Sequence, residues 1–139
     1  MTSGVTDNIL LAARLLLATL FLIFGWRKVR DYPGTVAQMV GLGVPTPVLA
    51  TVVSIVMELP VAFAIAIGAF TRPLALFMAF YSLGTALIGH RYWTVKDASY
   101  VDCLDGFYKD LSIMGGFLLL FLTGAGKYSV DALLGLAAP

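Results

Sequence analysis

Four apolar runs constrain this chain more than any other feature, because each approaches the roughly 20 residues a helix needs to cross the hydrocarbon core of a bilayer. They cover about residues 8–28, 48–70, 73–90 and 108–123. In lipid the backbone must satisfy its own hydrogen bonds, so runs of this length are read as spanning helices. Composition agrees: 60% hydrophobic residues, 12% charged residues and a mean hydropathy of +0.92 lie outside the range of a water-soluble domain. The expectation is an all-α integral membrane four-helix bundle with a short interfacial segment between its first two helices. It forms one domain over 1–139, since four crossings and their connections consume the chain. The lipid bilayer is its first partner. A formal net charge of +1, with scattered basic residues, excludes a nucleic-acid groove.

Local chemistry sets the boundaries. Asp7 can cap the first helix, Pro45-Thr46-Pro47 precedes the second, and Arg72-Pro73 opens the third where proline is tolerated. Gly124-Ala125-Gly126 closes the fourth. The first run has no basic residue ahead of it and exceeds a signal-peptide core, so it is expected to stay in the membrane. Residues 32–49 are mildly apolar and broken by Gly41, Gly43, Pro45 and Pro47, which places them at the surface. Arg27, Lys28, Arg30, Arg91, Lys96 and Lys109 flank the first and third loops, against Arg14, Arg72 and Lys127 on the other side. That excess puts the first and third loops in the cytoplasm and both termini outside.

Glu58 lies midway along the second run. A carboxylate there costs several kcal/mol, on the order of +3, unless it is paired, protonated or beside water, so it should face the protein interior. Pro60 removes a backbone hydrogen bond two residues on and is expected to kink the helix. Polar and small residues recur at helical spacing. Arg14, Ala18, Phe21, Gly25 and Lys28 form one stripe; Thr51, Ser54, Glu58, Ala62 and Ala69 a second; Lys109, Ser112, Gly116 and Thr123 another. These stripes are expected to face inward.

Helical side chains lean toward their own N-terminus, so Glu58 leans toward the end at which Lys28 and His90 terminate their helices. At 1.5 Å per residue Glu58 lies roughly 15 Å deep, a gap long side chains can largely close. The expected polar cluster is Glu58, Lys28 and His90, with Lys109 and Asp110 beside them. Arg14, entering from the opposite face, is the alternative partner for Glu58. A purely structural reading competes: lysines near helix ends snorkel to head groups, and His90 with Arg91, Tyr92 and Trp93 fits an interfacial aromatic belt.

One histidine and one cysteine cannot build an iron–sulfur site, a bis-histidine haem or a typical zinc site, so no metal and no intrinsic cofactor are expected. Cys103, read as part of the third loop, has Asp102 and Asp105 for neighbours, which oppose a thiolate nucleophile. Gly126-Lys127 is no phosphate loop, because Phe121 occupies the position of the earlier glycine.

The order and spacing of several motifs resemble the DoxX family of small bacterial membrane proteins, from about Leu11 to Leu134. The matching motifs are Arg14-Leu-Leu-Leu, Gly25-Trp-Arg-Lys28, Gly41-Leu-Gly-Val-Pro-Thr-Pro47, Glu58-Leu, Gly68-Ala-Phe-Thr-Arg-Pro73, His90-Arg-Tyr-Trp93, Met114-Gly-Gly116 and Gly124-Ala-Gly-Lys-Tyr-Ser-Val-Asp131. Trp26, Arg72 and Trp93 are secondary site candidates within them. Lys109-Asp110 departs from the lysine-asparagine usual in relatives, and the added acid can pair with the lysine.

The resemblance implies a bacterial inner-membrane location and redox chemistry at the membrane. Some members are subunits of a thiosulfate:quinone oxidoreductase, and others are linked to complexes handling thiol or oxidative stress. The leading expectation is a subunit of a membrane-associated oxidoreductase, quinone-linked or sulfur/thiol-linked, whose electrons pass through a quinone or a cofactor-bearing partner. Two alternatives stand beside it: a non-catalytic scaffold for a redox partner, and a small-molecule transporter. A homodimer is the default oligomer.

Overall fold

The computed structural model describes residues 3–136. In order it contains α1 (Ser3–Arg30), α2 (Tyr32–Gly41), α3 (Pro47–Val56), a π turn (Met57–Val61), α4 (Ala62–Ile67), α5 (Thr71–Gly89), a 3-10 turn (Tyr92–Thr94), α6 (Tyr100–Thr123) and α7 (Val130–Leu133). α3, the π turn and α4 run on as one span, Pro47–Ile67. Four helical segments are therefore long and apolar enough to cross a membrane. This is the all-α membrane fold that the four runs anticipate.

α1 is helical from Ser3, so Asp7 lies inside it rather than at its cap, and three further features differ from expectation, each for a local reason. α6 starts at Tyr100, well before the apolar run at 108. Its first turn carries Asp102, which suits the positive end of the helix dipole. Tyr92, Trp93, Tyr100, Phe107 and Tyr108 form a ring cluster with centroids 5.3–6.2 Å apart, which supports this polar extension. Cys103 is consequently helical and half-buried instead of lying in a loop. The surface segment is a true helix, α2. Asp31 caps it by accepting from the Gly34 N–H at 3.1 Å, and Pro33 occupies its first turn.

The third difference concerns Pro60. Proline cannot donate to the carbonyl one turn back, and its ring would clash there. The chain answers with the π turn over Met57–Val61, whose wider loop accommodates the ring at the place where the kink is expected.

α5 and α6 pair as one antiparallel hairpin, and α1 packs along α3, the π turn and α4 as the other. α1 against α6 and α4 against α5 join the two. Phe21, Ala62, Ile65, Ala75, Met78, Ala79, Phe117 and Leu120 form the shared core, with the Phe21 and Phe117 rings 5.6 Å apart. The large exposed side chains, among them Leu16, Phe77, Phe80, Leu119 and Leu122, are apolar and face outward, as a bilayer solvent requires. Arg14, Ala18, Phe21 and Gly25 are the buried residues of α1. In α6 the inward residues are Gly106, Asp110, Phe117 and Leu120, whereas Lys109, Ser112 and Thr123 are exposed. The core there needs bulk from Phe117 and Leu120, and only Asp110 finds polar partners inside.

Arg14 closes the end of the bundle at which α4 and α6 finish. Its guanidinium donates to the carbonyls of Ala66 (3.1 Å), Ala125 (2.5 Å) and Tyr128 (2.6 Å), so one side chain ties α1 to the ends of α4 and α6. Asp131 of α7 accepts from the N–H groups of Phe70 (2.7 Å) and Thr71 (2.9 Å), which satisfies donors at the start of α5. Phe70 has φ 50, an uncommon value for a bulky residue, and the Asp131 bond holds it there. Replacing Arg14 by methionine should strip three carbonyls of their donor and cost about 3 kcal/mol. Thermal unfolding in detergent measures this; an unchanged midpoint would show that the guanidinium carries no load.

Candidate functional site

At the opposite end, α1, α2, α3, the π turn, α5 and α6 surround a cavity of about 1030 Å³. Its lining grades from apolar residues such as Leu20, Phe21 and Val53 to the exposed basic residues Arg27, Arg30 and Lys109. Glu58, Lys28, Tyr81, Thr85, His90 and Asp110 all contribute to it.

Glu58 is buried at 3% exposure and makes the deepest polar group of the cavity. Lys28 Nζ donates to both carboxylate oxygens at 2.5 Å, and the Tyr81 hydroxyl donates to Oε1 at 2.6 Å. Two features of the sequence create this geometry. The π turn carries Glu58 itself, so the carboxylate is presented from a widened stretch of backbone. Gly25 then lets α1 approach: a Cβ there would come within 2.7 Å of the Leu59 side chain and 3.0 Å of the Glu58 backbone. Lys28 sits one turn after Gly25 on the same face, which brings it to the carboxylate.

Asp110 anchors a second polar group on α6. Its Oδ2 lies 2.9 Å from His90 Nδ1 and accepts from the Thr85 hydroxyl at 3.2 Å. This fixes His90 through Nδ1 and lays the Nε2 edge of the ring over Gly106. Gly106, one turn before Asp110, gives the imidazole its seat, because a Cβ there would strike the ring. Tyr81 and Thr85 are four residues apart on α5, so the two groups share one helix face and line one cavity. One group holds the buried Glu58 and the other the half-exposed His90.

The structure thus brings Glu58 to Lys28 and His90 to Asp110 but leaves other candidates apart. Arg14 does not meet Glu58; it serves the far end of the bundle. Lys109 makes no ion pair with Asp110. The helix turns the two side chains in different directions, and Lys109 Nζ instead lies 5.5 Å from the Phe24 ring centroid. Trp26 and Trp93 are more than half exposed, and Arg72 lies beside Gly124 at the other end, so none of these three lines the cavity. Sequence reasoning missed Tyr81, Thr85 and Asp131. The first two carried a signal, a hydroxyl pair at helical spacing leading to His90; Asp131 sits beyond the last apolar run, and its one signal was its place at the end of the Gly124–Asp131 motif. Among the described residues no group of three or more His, Cys, Asp or Glu side chains could hold a metal ion.

Removing Lys28 alone leaves a buried carboxylate without its counter-ion. Lys28→Met should therefore lower stability by about 3 kcal/mol, and Lys28→Met/Glu58→Gln should recover at least half of that loss. Thermal unfolding of the four proteins in the cycle decides it; strictly additive losses would mean that the pair is not coupled.

Comparison with known proteins gives a consistent result. The family model for DoxX matches residues 9–91. Inner membrane protein YphA of Escherichia coli (strain K12) is 46% identical over 123 residues, 88% of this chain and 88% of that protein. Inner membrane protein YqjF of the same organism is 43% identical over 124 residues, 89% of this chain and 90% of that protein. No solved structure matches significantly.

Proposed function

We propose that this chain, which belongs to the DoxX family of inner membrane proteins, is the quinone-binding subunit of a membrane oxidoreductase. The observation that carries the reading is the cavity, in which an apolar wall meets two separate proton-bearing groups. Its volume of about 1030 Å³ suits a ring with part of an isoprenoid tail. Reducing a quinone consumes two electrons and two protons. A cofactor-bearing partner supplies the electrons, since this chain has too few histidines and cysteines for a redox centre.

The residues of the chain then have distinct tasks. Lys28 orients a carbonyl oxygen by donating to it, while Glu58 stays as its counter-ion. Tyr81, oriented by its hydrogen bond to Glu58, delivers one proton from its hydroxyl, and water entering from the cavity mouth returns it. His90 delivers the other from Nε2, and Asp110 stabilises the imidazolium through Nδ1. Leu20, Phe21 and Val53 hold the apolar part of the ligand. Protein purified in mild detergent should carry close to one quinone per chain in its lipid extract and copurify with an oxidoreductase. Asp110→Asn should retain the quinone but slow its reduction roughly 100-fold. An extract free of quinone, from preparations without a partner, overturns the reading.

One observation favours transport as the second reading: a pitch change at an intramembrane acid beside a cavity is the arrangement of helix-broken carriers. Uptake by proteoliposomes lacking any partner would select it.

We also place the cavity end in the cytoplasm, because α1 ends in Arg27, Lys28 and Arg30 and the α5–α6 connection carries Arg91 and Lys96. Cys103, the sole cysteine, stands at that end and reports the orientation directly. A membrane-impermeant maleimide should label it in inside-out vesicles and leave it untouched in intact spheroplasts; the reverse pattern would invert the topology.

A further inference from the structure

We infer that the rim of the cavity is a binding site for an oxyanion, of the kind borne by a phosphate or an anionic lipid head group. Each acid of the cavity interior is already engaged: Glu58 by Lys28 and Tyr81, Asp110 by His90 and Thr85. The remaining acid of the lining, Asp31, caps α2 through the Gly34 N–H. Against these, Arg27, Arg30 and Lys109 line the same cavity, and none makes an ion pair among the described residues. The rim is left with three cations and one capping carboxylate.

Two routine explanations of basic residues do not account for the arrangement. The C-terminal end of α1 favours cations through its dipole, which explains Arg27 and Arg30. It does not explain Lys109, which comes from a different helix and lies in that helix's N-terminal half, where the dipole gives a cation no support. The preference for cytoplasmic lysine and arginine is met by any position in the loops, as Lys96 shows. It does not require cations from two helices to converge. Yet Arg27 Cζ lies 5.8 Å and Lys109 Nζ 5.5 Å from the centroid of one ring, that of Phe24, which itself lines the cavity. Phe24 thus gathers a cation from each of two helices at the cavity rim, and an oxyanion bound there would be within reach of both. Basic pockets between spanning helices on the cytoplasmic side are the usual seat of anionic head groups. Here the apolar wall next to the rim offers room for the attached chain.

The proposal is independent of the quinone reading and is tested without quinone or partner. The full-length protein is placed in nanodiscs of phosphatidylcholine with or without phosphatidylglycerol, and bound lipid is counted by native mass spectrometry; inorganic phosphate is titrated calorimetrically into the phosphatidylcholine sample. Retention of phosphatidylglycerol that phosphate does not displace identifies the lipid head group as the source. Phosphate binding that competes with phosphatidylglycerol identifies the free oxyanion. Arg27→Gln and Lys109→Gln should each weaken binding about fivefold, while Lys109→Arg should keep it. Lys96→Gln, on the same membrane side but outside the cavity, should have no effect. Because all three side chains are exposed, the melting curves of the four variants should stay unchanged. Equal weakening by Lys96→Gln, or binding of neither probe, overturns the proposal.

Discussion

Pairing a carboxylate near the middle of the bilayer is the constraint on which the functional half of this structure depends. Glu58 stands midway along the span Pro47–Ile67 at 3% exposure, and an unpaired charge there would cost on the order of several kcal/mol. Its solution recruits three elements at once: α1 supplies Lys28, α5 supplies Tyr81, and the π turn supplies the carboxylate in an orientation that both can reach. None of these would suffice alone. Gly25 is the enabling residue, since any side chain there would hold α1 away from Glu58 and place Lys28 beyond hydrogen-bonding distance. Close backbone approach at a small residue is how membrane helices pack where no hydrophobic driving force separates helix from lipid.

The two ends of the bundle use their buried charges differently. At the closed end Arg14 and Asp131 spend every hydrogen bond on backbone groups of helix ends and turns, so their role is to satisfy the fold. At the cavity end the charges bond to one another and to side-chain hydroxyls. Backbone partners are fixed, whereas side-chain partners exchange protons and change places. That contrast sets the two ends apart and explains why Arg14, although the largest fully buried side chain, serves the packing of the bundle.

Much of this was legible in the sequence, and the limits have physical causes. The spans were readable because lipid imposes length and hydropathy on any helix that crosses it, and the α1 stripe from Arg14 to Gly25 was readable because small and charged residues both avoid lipid. The α6 stripe was not. Its polar residues near the membrane edge can reach head groups without turning inward, so Lys109 and Ser112 gave a false face while Phe117 and Leu120, apolar like their lipid-facing neighbours, gave none. The start of α6 was hidden for a related reason: hydropathy marks where lipid begins, and this helix continues past it on aromatic contacts and an acidic first turn.

The Lys28–Glu58 half of the polar cluster followed from the lean of helical side chains, but its division into two groups did not. Asp110 and Lys109 are neighbours in sequence, and in a helix neighbours diverge by about 100°. One therefore joined His90 inside while the other moved to the rim. This divergence has a chemical consequence. Had Lys109 paired with Asp110, the acid would have been neutralised locally and His90 left without its anchor. With the pair split, Asp110 is free to hold the imidazole, and the cation that would have quenched it contributes to the charge of the cavity mouth. One dipeptide thus supplies both the anchor of His90 within the cavity and one of the cations at its entrance.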